Sequence, residues 1–428
     1  MLDRTKAPET YEIDAVTLQI AEVKSLPNGV KLHLIKNETQ PVIRLDFVFK
    51  AGKWYETQPG ASDLTAKMLL EGSLHHTARQ IADQVAYYGA SFDSNHGYDR
   101  TELTLYCLSK HLKDLLPLVC DVIQNPVFPE EEFNHLKQRT IQNLKVQRQK
   151  NNYLATQALT QRLYGENHPY VYGFEEENLN QLTLATLKQF YATSYDTGNL
   201  EIFACGDLKD STEEELTEWL QNLNINRKEP TEPTHSFLDI EPKETIVKMP
   251  ESLQSSIRVG KRFPLIQEPD YLKLKVLNEI LGGYFGSRLM RNIREDKGYT
   301  YGIHSVISPK EQDSIFYIGT DVNYTVTDKT IDEIKKEIAQ LQQEDIPEDE
   351  LQVVKNYMLG KFINNIATIF DQADKYKRVV LHNLDLDHYN RYITTIRTIT
   401  APELKELAQK YLNIDSLHIA IAGRKADS

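Results

Sequence analysis

The sequence predicts an α+β fold made by tandem duplication of one α/β sandwich domain, in which helices pack on a mainly antiparallel sheet. Three observations predict it: strand hairpins are followed by long helices, both halves show the same order of elements, and a segment rich in prolines and charges separates them. The chain of 428 residues is also longer than one hydrophobic core usually organises. We therefore expect two domains.

Local patterns assign the elements of the first half in order. Turn residues at 26–29 precede an alternating strand, and Thr77 with Gln80 forms a capping box that starts a helix. Gly72 and Gly89 stand where helices are expected to end. The predicted elements are strands at 30–34, 42–49, 91–94 and 101–108, helices at 62–71 and 77–89, and long helices to about residue 164.

The second half repeats the ending of the first in one register. A Leu-Thr pair at Thr183 matches an Ile-Thr pair at Thr400, and the strand ending at Gly206 matches the strand ending at Gly423. Both pairs are 217 residues apart. Because several matches share one spacing, we interpret them as a duplication. The predicted domains are 1–225 and 245–428, joined by an exposed linker at 226–244.

Composition and charge exclude several partners. The net charge is −13, from 62 acidic and 49 basic residues, and an acidic surface repels nucleic acid. Three scattered cysteines predict no disulfide framework or zinc knuckle. No apolar run of about 18 residues occurs, so we expect no membrane partner. We expect a cytoplasmic protein, or a periplasmic one if a signal peptide has been removed.

Residues 60–73 carry a family resemblance. They read Gly-Ala-Ser-Asp-Leu-Thr-Ala-Lys-Met-Leu-Leu-Glu-Gly-Ser. This segment resembles the zinc-site helix of pitrilysin/insulinase-family peptidases, Gly-Leu-Ala-His-x-x-Glu-His-Met-Leu-Phe-x-Gly-Thr. The domain pair, the linker and the closing strand also resemble the processing-peptidase branch of that family, over about residues 24–424. The resemblance implies the same duplicated α+β fold.

The resemblance also implies that the zinc site is degenerate. In the family, two histidines of H-x-x-E-H bind zinc, and the glutamate takes a proton from the zinc-bound water. Here these positions are Asp63, Ala66 and Lys67, and Asn143 occupies the position of the third ligand, a glutamate. The Lys67 ammonium would repel a divalent cation. We therefore expect no metal and no cofactor in this chain, with zinc in a partner instead.

Two interpretations of the replaced positions stay open. Asp63 and Lys67 stand at i and i+4, a spacing that stabilises an exposed helix pair by about 0.2–0.5 kcal/mol. Alternatively, a buried ammonium replaces the charge of the missing metal. His75 and His76 are expected in a solvated loop, and His96 with Asp99 in a hairpin turn.

A second segment of the family resemblance lies in the second half. Residues 282–302 resemble its C-terminal active-site segment, Ser-Arg-Leu…Arg-Glu…Gly-Leu-x-Tyr, and place Arg294 and Tyr301 at the arginine and tyrosine positions. The resemblance implies that Arg294 holds substrate backbone and that Tyr301 donates to the oxyanion. A glycine stretch here either contacts substrate, like the glycine-rich loop of processing peptidases, or forms a tight helix-packing turn: Gly282, Gly283 and Gly286.

Taken together, the sequence predicts a non-catalytic subunit of a two-chain zinc metalloendopeptidase. A zinc-bearing subunit of similar size would carry H-x-x-E-H, and this chain would contribute Arg294 and Tyr301. The expected substrate is an unstructured peptide, and the chain alone is expected to be inactive, with a homodimer possible in isolation. One alternative is a proteolytically inert peptide-binding or scaffold protein of the same fold. Nothing in the sequence supports a second alternative, a self-sufficient hydrolase.

Overall fold

A computed structural model describes residues 18–225, 232–238 and 241–426. Residues 1–17 of the predicted first domain and residues 427–428 of the second lie outside these ranges. So do residues 226–231 and 239–240 of the predicted linker. The described linker segment packs on both halves. The His235 imidazole donates to the Trp54 carbonyl oxygen at 2.8 Å, and the Phe237 ring lies 4.2 Å from the Arg262 guanidinium. This part of the linker is therefore held by contacts.

Within the described residues, the first half contains a six-stranded sheet and eight α-helices. The strand order is β1-β2-β6-β3-β5-β4, and β2 with β6 is the parallel pair. The strands are β1 Glu22–Ser25, β2 Lys31–Lys36, β3 Val42–Phe49, β4 Ser91–His96, β5 Thr101–Leu108 and β6 Leu200–Gly206. The helices are α1 Ala61–Met68, α2 Ala78–Tyr87, α3 Leu112–Gln124, α4 Glu130–Gln147, α5 Asn151–Tyr164, α6 Glu176–Gln181, α7 Leu184–Ser194 and α8 Asp210–Gln221.

The second half forms a five-stranded sheet with the order β7-β11-β8-β10-β9, in which β7 and β11 are parallel. The strands are β7 Glu244–Lys248, β8 Gln254–Phe263, β9 Thr300–Pro309, β10 Ser314–Asn323 and β11 His418–Gly423. The helices are α9 Tyr271–Asn278, α10 Thr327–Gln343, α11 Glu348–Asn364, α12 Ile369–Leu381, α13 His388–Thr398 and α14 Ala401–Tyr411. Two π-helical segments, Glu279–Gly283 and Met290–Asp296, lie between α9 and β9.

Strand order and matching residues confirm the duplication. Without β1, the first sheet has the same order as the second, with the parallel pair at the same place. Thr183 and Thr400 each cap the helix that follows, α7 and α14. Gly206 and Gly423 each end the last strand of their half with positive φ values of 123° and 138°. These are the residue pairs that the shared spacing predicted.

Most local predictions for the first half are confirmed. The Thr77–Gln80 capping box starts α2, and the predicted strands correspond to β2, β3, β4 and β5. The helix predicted at 62–71 is α1 followed by a 3₁₀ turn at Leu69–Glu71, and Gly72 ends it with a φ of 146°. Among the described helices, none is both long and apolar enough to span a bilayer.

One helix of each half packs on the sheet of the other half, and the two helices occupy corresponding positions in the duplication. Helix α5 of the first half packs on β8 and β11 of the second sheet, and α12 of the second half packs on β6 of the first sheet. Their residues form two shared apolar clusters. One joins Phe203 and Cys205 to Ala373 and Tyr376 of α12. The other contains Ala158, Leu159, Leu163 and Tyr164 of α5 with Ile315 and Ala420. Each sheet is therefore covered partly by the other half.

Ion pairs reinforce the contact between α12 and the first sheet. Arg44 donates to Asp374 at 2.7 Å, and the Lys377 ammonium lies 2.9 Å from a carboxylate oxygen of Asp46. Lys377 also pairs with Glu102. Asp46 is 1% exposed, so the pair with Lys377 provides a partner for a buried charge that would otherwise be costly to fold.

Candidate functional site

Helix α1 carries the degenerate zinc positions, and the half-buried Glu56 fixes its start. One carboxylate oxygen of Glu56 accepts from the backbone N–H of Gly60 and of Ser62, both at 3.1 Å, and from the Ser62 hydroxyl at 2.8 Å. These are backbone groups that no helical carbonyl can satisfy at a helix N-terminus. Burial raises the pKa of Glu56, and its bonds with Ser62 and Gly60 oppose that rise.

Asp63 and Lys67 form the predicted pair one turn apart. The Lys67 ammonium lies 2.8 Å from both carboxylate oxygens of Asp63. The side chain of Lys67 is 46% exposed, whereas that of Asp63 is 8% exposed. The ammonium is therefore solvated, and the carboxylate is the buried member. Ala66 is also buried, at 1% exposure.

Two further residues belong to this site: His96, which the sequence predicted only as part of a hairpin turn, and Lys53, for which it predicted no role. His96, at the end of β4, places Nδ1 3.3 Å from Asp63, and burial lowers the pKa of its imidazole. Lys53 is 7% exposed and donates to the carbonyl oxygens of Val171 and Gly173 at 2.7 and 3.2 Å. Its ammonium lies 4.8 Å from the centre of the Phe174 ring. Lys53 is the buried cation that the sequence had suggested for Lys67.

These residues line one cavity of about 380 Å³, which Asn143 of α4 also lines. The structure therefore brings together three of the four predicted positions, Asp63, Lys67 and Asn143. Aromatic side chains form the rest of the wall: Tyr98, Tyr153, Tyr172 and Phe174. Asp63 and His96 could supply two metal ligands, but two ammonium groups face the same space. In the described part of the chain, no cluster of three or more His, Cys, Asp or Glu residues could hold a metal ion.

Arg294 and Tyr301 line a different cavity, of about 680 Å³, together with residues of β10. The Arg294 guanidinium lies 4.4 Å from the centre of the Phe285 ring, which is 64% exposed. Tyr301 is 97% exposed. No residue lines both this cavity and the one at α1. The structure thus places Arg294 and Tyr301 on one cavity and Asp63 on another.

The glycine stretch packs tightly against its own half. A Cβ atom on Gly282 would lie 2.7 Å from the backbone nitrogen of Ser305 in β9, which is too close for a side chain. A Cβ atom on Gly283 would lie 2.5 Å from the Glu279 carboxylate, and one on Gly286 would lie 2.8 Å from the Tyr284 ring. Close packing accounts for glycine at Gly282. A substrate contact by this stretch remains a prediction.

Residues expected in loops have specific partners. Asp121 accepts from the His75 backbone N–H at 3.3 Å and lies 3.0 Å from Nδ1 of His76. The loop predicted to be solvated is therefore anchored to α3. Asp99 follows β4 and accepts from the backbone N–H of Glu311 at 3.1 Å. It thus contributes to the contact between the two halves as well as to the turn.

Comparisons with known proteins match both halves. A model described as insulinase (peptidase family M16) matches residues 31–170, and a model described as peptidase M16 inactive domain matches residues 181–358. A Helicobacter pylori protein named non-peptidase homolog YmxG is 24% identical over 93% of each chain. A Bacillus subtilis protein named uncharacterized zinc protease YmxG is 24% identical over 80% of this chain and 83% of its own.

A solved structure agrees with the observed fold. The peptidase M16 inactive domain from Pseudomonas fluorescens has a TM-score of 0.87 and 26% identity, covering 95% of this chain and 98% of its own. Some matching proteins are subunits of assemblies. One is named a probable mitochondrial-processing peptidase subunit beta from Arabidopsis thaliana, at 21% identity over 61% of this chain and 50% of its own. The chain described here belongs to the insulinase family, peptidase family M16.

Proposed function

We propose that this chain is a non-catalytic subunit of a two-chain zinc endopeptidase. In this proposal it supplies Arg294 and Tyr301 to a zinc site carried by a partner of similar size. The observation that carries the proposal is the exposure of Tyr301, which is 97% accessible beside Arg294 on an open cavity. A tyrosine that only stabilised the fold would bury its ring.

The contacts around α1 explain why the chain would need a partner. The Asp63 carboxylate is engaged by the Lys67 ammonium at 2.8 Å, and the Lys53 ammonium lines the same cavity. A divalent cation would have to displace Lys67 from Asp63 and then sit near both positive charges. No carboxylate stands at the base position, because that position is the buried Ala66. The zinc-bound nucleophile would therefore come from the partner.

Arg294 and Tyr301 have the chemistry for the supporting role. A tyrosine hydroxyl is a neutral donor that can stabilise a developing oxyanion, and such a donor is typically worth about 10²–10³ in rate. A planar guanidinium can hold a peptide carbonyl through paired donors. The Phe285 ring below Arg294 limits the positions that its guanidinium can adopt. Both side chains project from the second half, as the family resemblance predicts.

An inert peptide-binding or scaffold protein is the second candidate. The name non-peptidase homolog of the Helicobacter pylori relative favours it. Such a protein also would not need zinc ligands, but it would not need the Tyr301 hydroxyl either. The two candidates therefore differ in whether a partner gains activity from this chain.

Reconstitution tests the proposal. The chain alone is expected to contain no stoichiometric zinc by elemental analysis and to leave a quenched unstructured peptide uncleaved. Mixed with an M16 chain that carries H-x-x-E-H, it should form a complex in sedimentation and raise kcat/KM above that of the partner alone. A partner whose motif glutamate is replaced by glutamine is the control and should stay inactive in the complex. A stable complex without any gain in activity would support the scaffold instead, and chelator-sensitive cleavage by the lone chain would contradict both.

A further inference from the structure

The second half contains a cavity of about 190 Å³ lined by residues of α9, α11, α12 and α13. Four cationic side chains line it, one from α11, one from α9 and two from α12: Lys361, Lys275, Lys375 and Arg378. Among the lining residues, Glu279 is the single carboxylate. The cavity is thus strongly basic inside a chain whose net charge is −13.

Glu279 balances only one of these cations. It lies 3.1 Å from the Lys361 ammonium. Within the described residues, Lys275, Lys375 and Arg378 form no ion pair. The neighbouring carboxylate Asp374 is engaged by Arg44 of the first half at 2.7 Å, and Asp371 caps α12 through Thr368. Three positive charges therefore share the cavity without an ion pair. Glu279 acts on Lys275, and Asp371 and Asp374 act on Lys375, only through longer-range attraction.

A buried hydroxyl in the same cavity lacks an acceptor for its proton. Tyr271 lines the cavity and is 3% exposed, and the side chain beside its hydroxyl is the Arg378 guanidinium, which can only donate. Burial raises the pKa of Tyr271 to about 12, with Arg378 close enough to oppose the rise, so the hydroxyl keeps its proton near neutral pH. A buried donor without an acceptor costs stability, and native proteins rarely leave one unless a ligand or water fills the site.

Without an anion, burial and like charge make the charged forms of the lysines in this cavity unfavourable. Burial and the neighbouring cations, Arg378 first, lower the pKa of Lys275, and burial also lowers the pKa of Lys375. Burial lowers the pKa of His388, which lines the same cavity, to about 4, so its imidazole is neutral at pH 7 and adds no charge. A dianion among the cations would remove their mutual repulsion.

We propose that this cavity binds a small phosphate monoester, with its phosphoryl group among Lys275, Lys375, Arg378 and the Tyr271 hydroxyl. A phosphate monoester carries nearly two negative charges at pH 7 and three peripheral oxygens, which matches several cations and a hydroxyl better than a carboxylate does. The Tyr389 and Tyr392 rings line the cavity and provide a surface for the organic part. A cavity of about 190 Å³ admits a small molecule and excludes a macromolecule.

Calorimetric titration of the full chain with phenyl phosphate tests the proposal and needs no partner protein. Benzoate, which has a similar ring and a carboxylate, is the comparison ligand. Arg378→Gln and Lys375→Gln are the test variants, because Arg378 is exposed and Lys375 half-buried, so both variants should fold. Lys188→Gln, at an exposed position on α7, removes one charge far from the cavity in sequence and is the control. A thermal melt without ligand verifies the fold of each variant.

We expect saturable binding of phenyl phosphate at one site, at least tenfold tighter than binding of benzoate. Each test variant should weaken it by about tenfold or more, the usual effect of losing one charge-assisted hydrogen bond. Tyr271→Phe should weaken it severalfold, and Lys188→Gln should not change it. Absence of saturable binding, or equal binding by both test variants and the control, would overturn the proposal. Benzoate binding as tight as phenyl phosphate would overturn the phosphate assignment.

Discussion

Each half contains a cavity lined by corresponding helices, and the two cavities differ in how their charged side chains are paired. In the first half, α1, α4 and the start of α5 line a space in which Lys67 pairs with Asp63 and Lys53 donates to backbone carbonyls. In the second half, α9, α11 and α12 line a space in which three cations form no ion pair among the described residues. The arrangement of helices is thus the same in both halves, while the charged residues that line the two cavities differ. A family assignment therefore does not determine what either cavity binds.

The contact between the two halves depends on α5 and α12, each of which packs on the sheet of the other half. Because each helix covers the other half's sheet, separating the halves would expose both shared clusters. Such an arrangement predicts cooperative unfolding of the whole chain, although multidomain proteins often unfold in steps. The largest expected effect of a single substitution therefore lies in this contact.

Phe203→Ala should destabilise the contact between the two halves. Phe203 is 1% exposed, stacks on His33 at 4.5 Å and contacts Tyr376 of α12. Its truncation should lower the free energy of unfolding by about 3–5 kcal/mol, as for other buried aromatic residues. Urea unfolding followed by circular dichroism and by tryptophan fluorescence should shift together. Val353→Ala, at a 57% exposed position on α11, is the control and should stay within about 0.5 kcal/mol. Non-coincident transitions would show that the halves fold separately.

Replacing one lysine in each cavity by methionine should change stability in opposite directions. Lys53→Met removes this donor from the carbonyl oxygens of Val171 and Gly173, the first of them buried, and should lower the free energy of unfolding by about 2–3 kcal/mol. Lys275→Met removes an uncompensated charge and should raise it by up to about 1 kcal/mol. Chemical denaturation of the two variants at pH 7 measures both. Equal losses in both variants would contradict the contrast between the cavities.

The pH dependence of that contrast follows from the lowered pKa of Lys275. Its ordinary value is 10.5, and the folded state holds the proton less tightly than the unfolded state. The free energy of unfolding of the unchanged chain therefore rises with pH between the folded and the unfolded pKa of Lys275. The advantage of Lys275→Met should be full below the folded pKa and should fade as the pH approaches 10.5. An advantage that does not change with pH would show that charge is not its cause.

The smallest effect is expected for Lys67→Ala. The Lys67 side chain is 46% exposed, so its pair with Asp63 is screened by water and should contribute less than about 0.5 kcal/mol. The variant should also bind no zinc, because position 67 would still carry no ligand group and Asn143 supplies no carboxylate. Thermal melts with and without added zinc measure both. A rise in melting temperature with zinc would contradict the interpretation of α1 as a degenerate site.

Local patterns in the sequence predicted much of the frame. The Thr77 capping box, the terminal glycines of matching strands and the spacing of Asp63 and Lys67 all depend on residues close in the chain or repeated at one spacing. The contribution of His96 could not be found this way, because it requires the end of β4 to pass over α1. Lys53 gave no local signal either, since its acceptors lie more than 110 residues away.

The sequence also did not predict the packing of α5 and α12 on each other's sheets or the basic cavity of the second half. α5 and α12 follow ordinary helix patterns, and nothing in their sequences states which sheet they cover. Lys275, Lys375 and Arg378 come from two helices and converge only in the folded chain. Charged residues on helices usually face solvent, so their positions in the sequence give no sign of a shared cavity. These features depend on long-range packing, which one sequence does not reveal.

The most direct measurement of the central claim is kcat/KM of the reconstituted pair with Tyr301→Phe. This substitution removes one hydroxyl from a ring that is 97% exposed, so folding and assembly should not change. We expect a fall of about tenfold to a thousandfold, since a lost transition-state hydrogen bond is worth about 1.4–4 kcal/mol. Tyr87→Phe, at an 83% exposed tyrosine of the first half, is the matched control and should have no effect. If Tyr301→Phe and Arg294→Ala both leave kcat/KM unchanged in an intact complex, the chain is a scaffold and the claim is wrong.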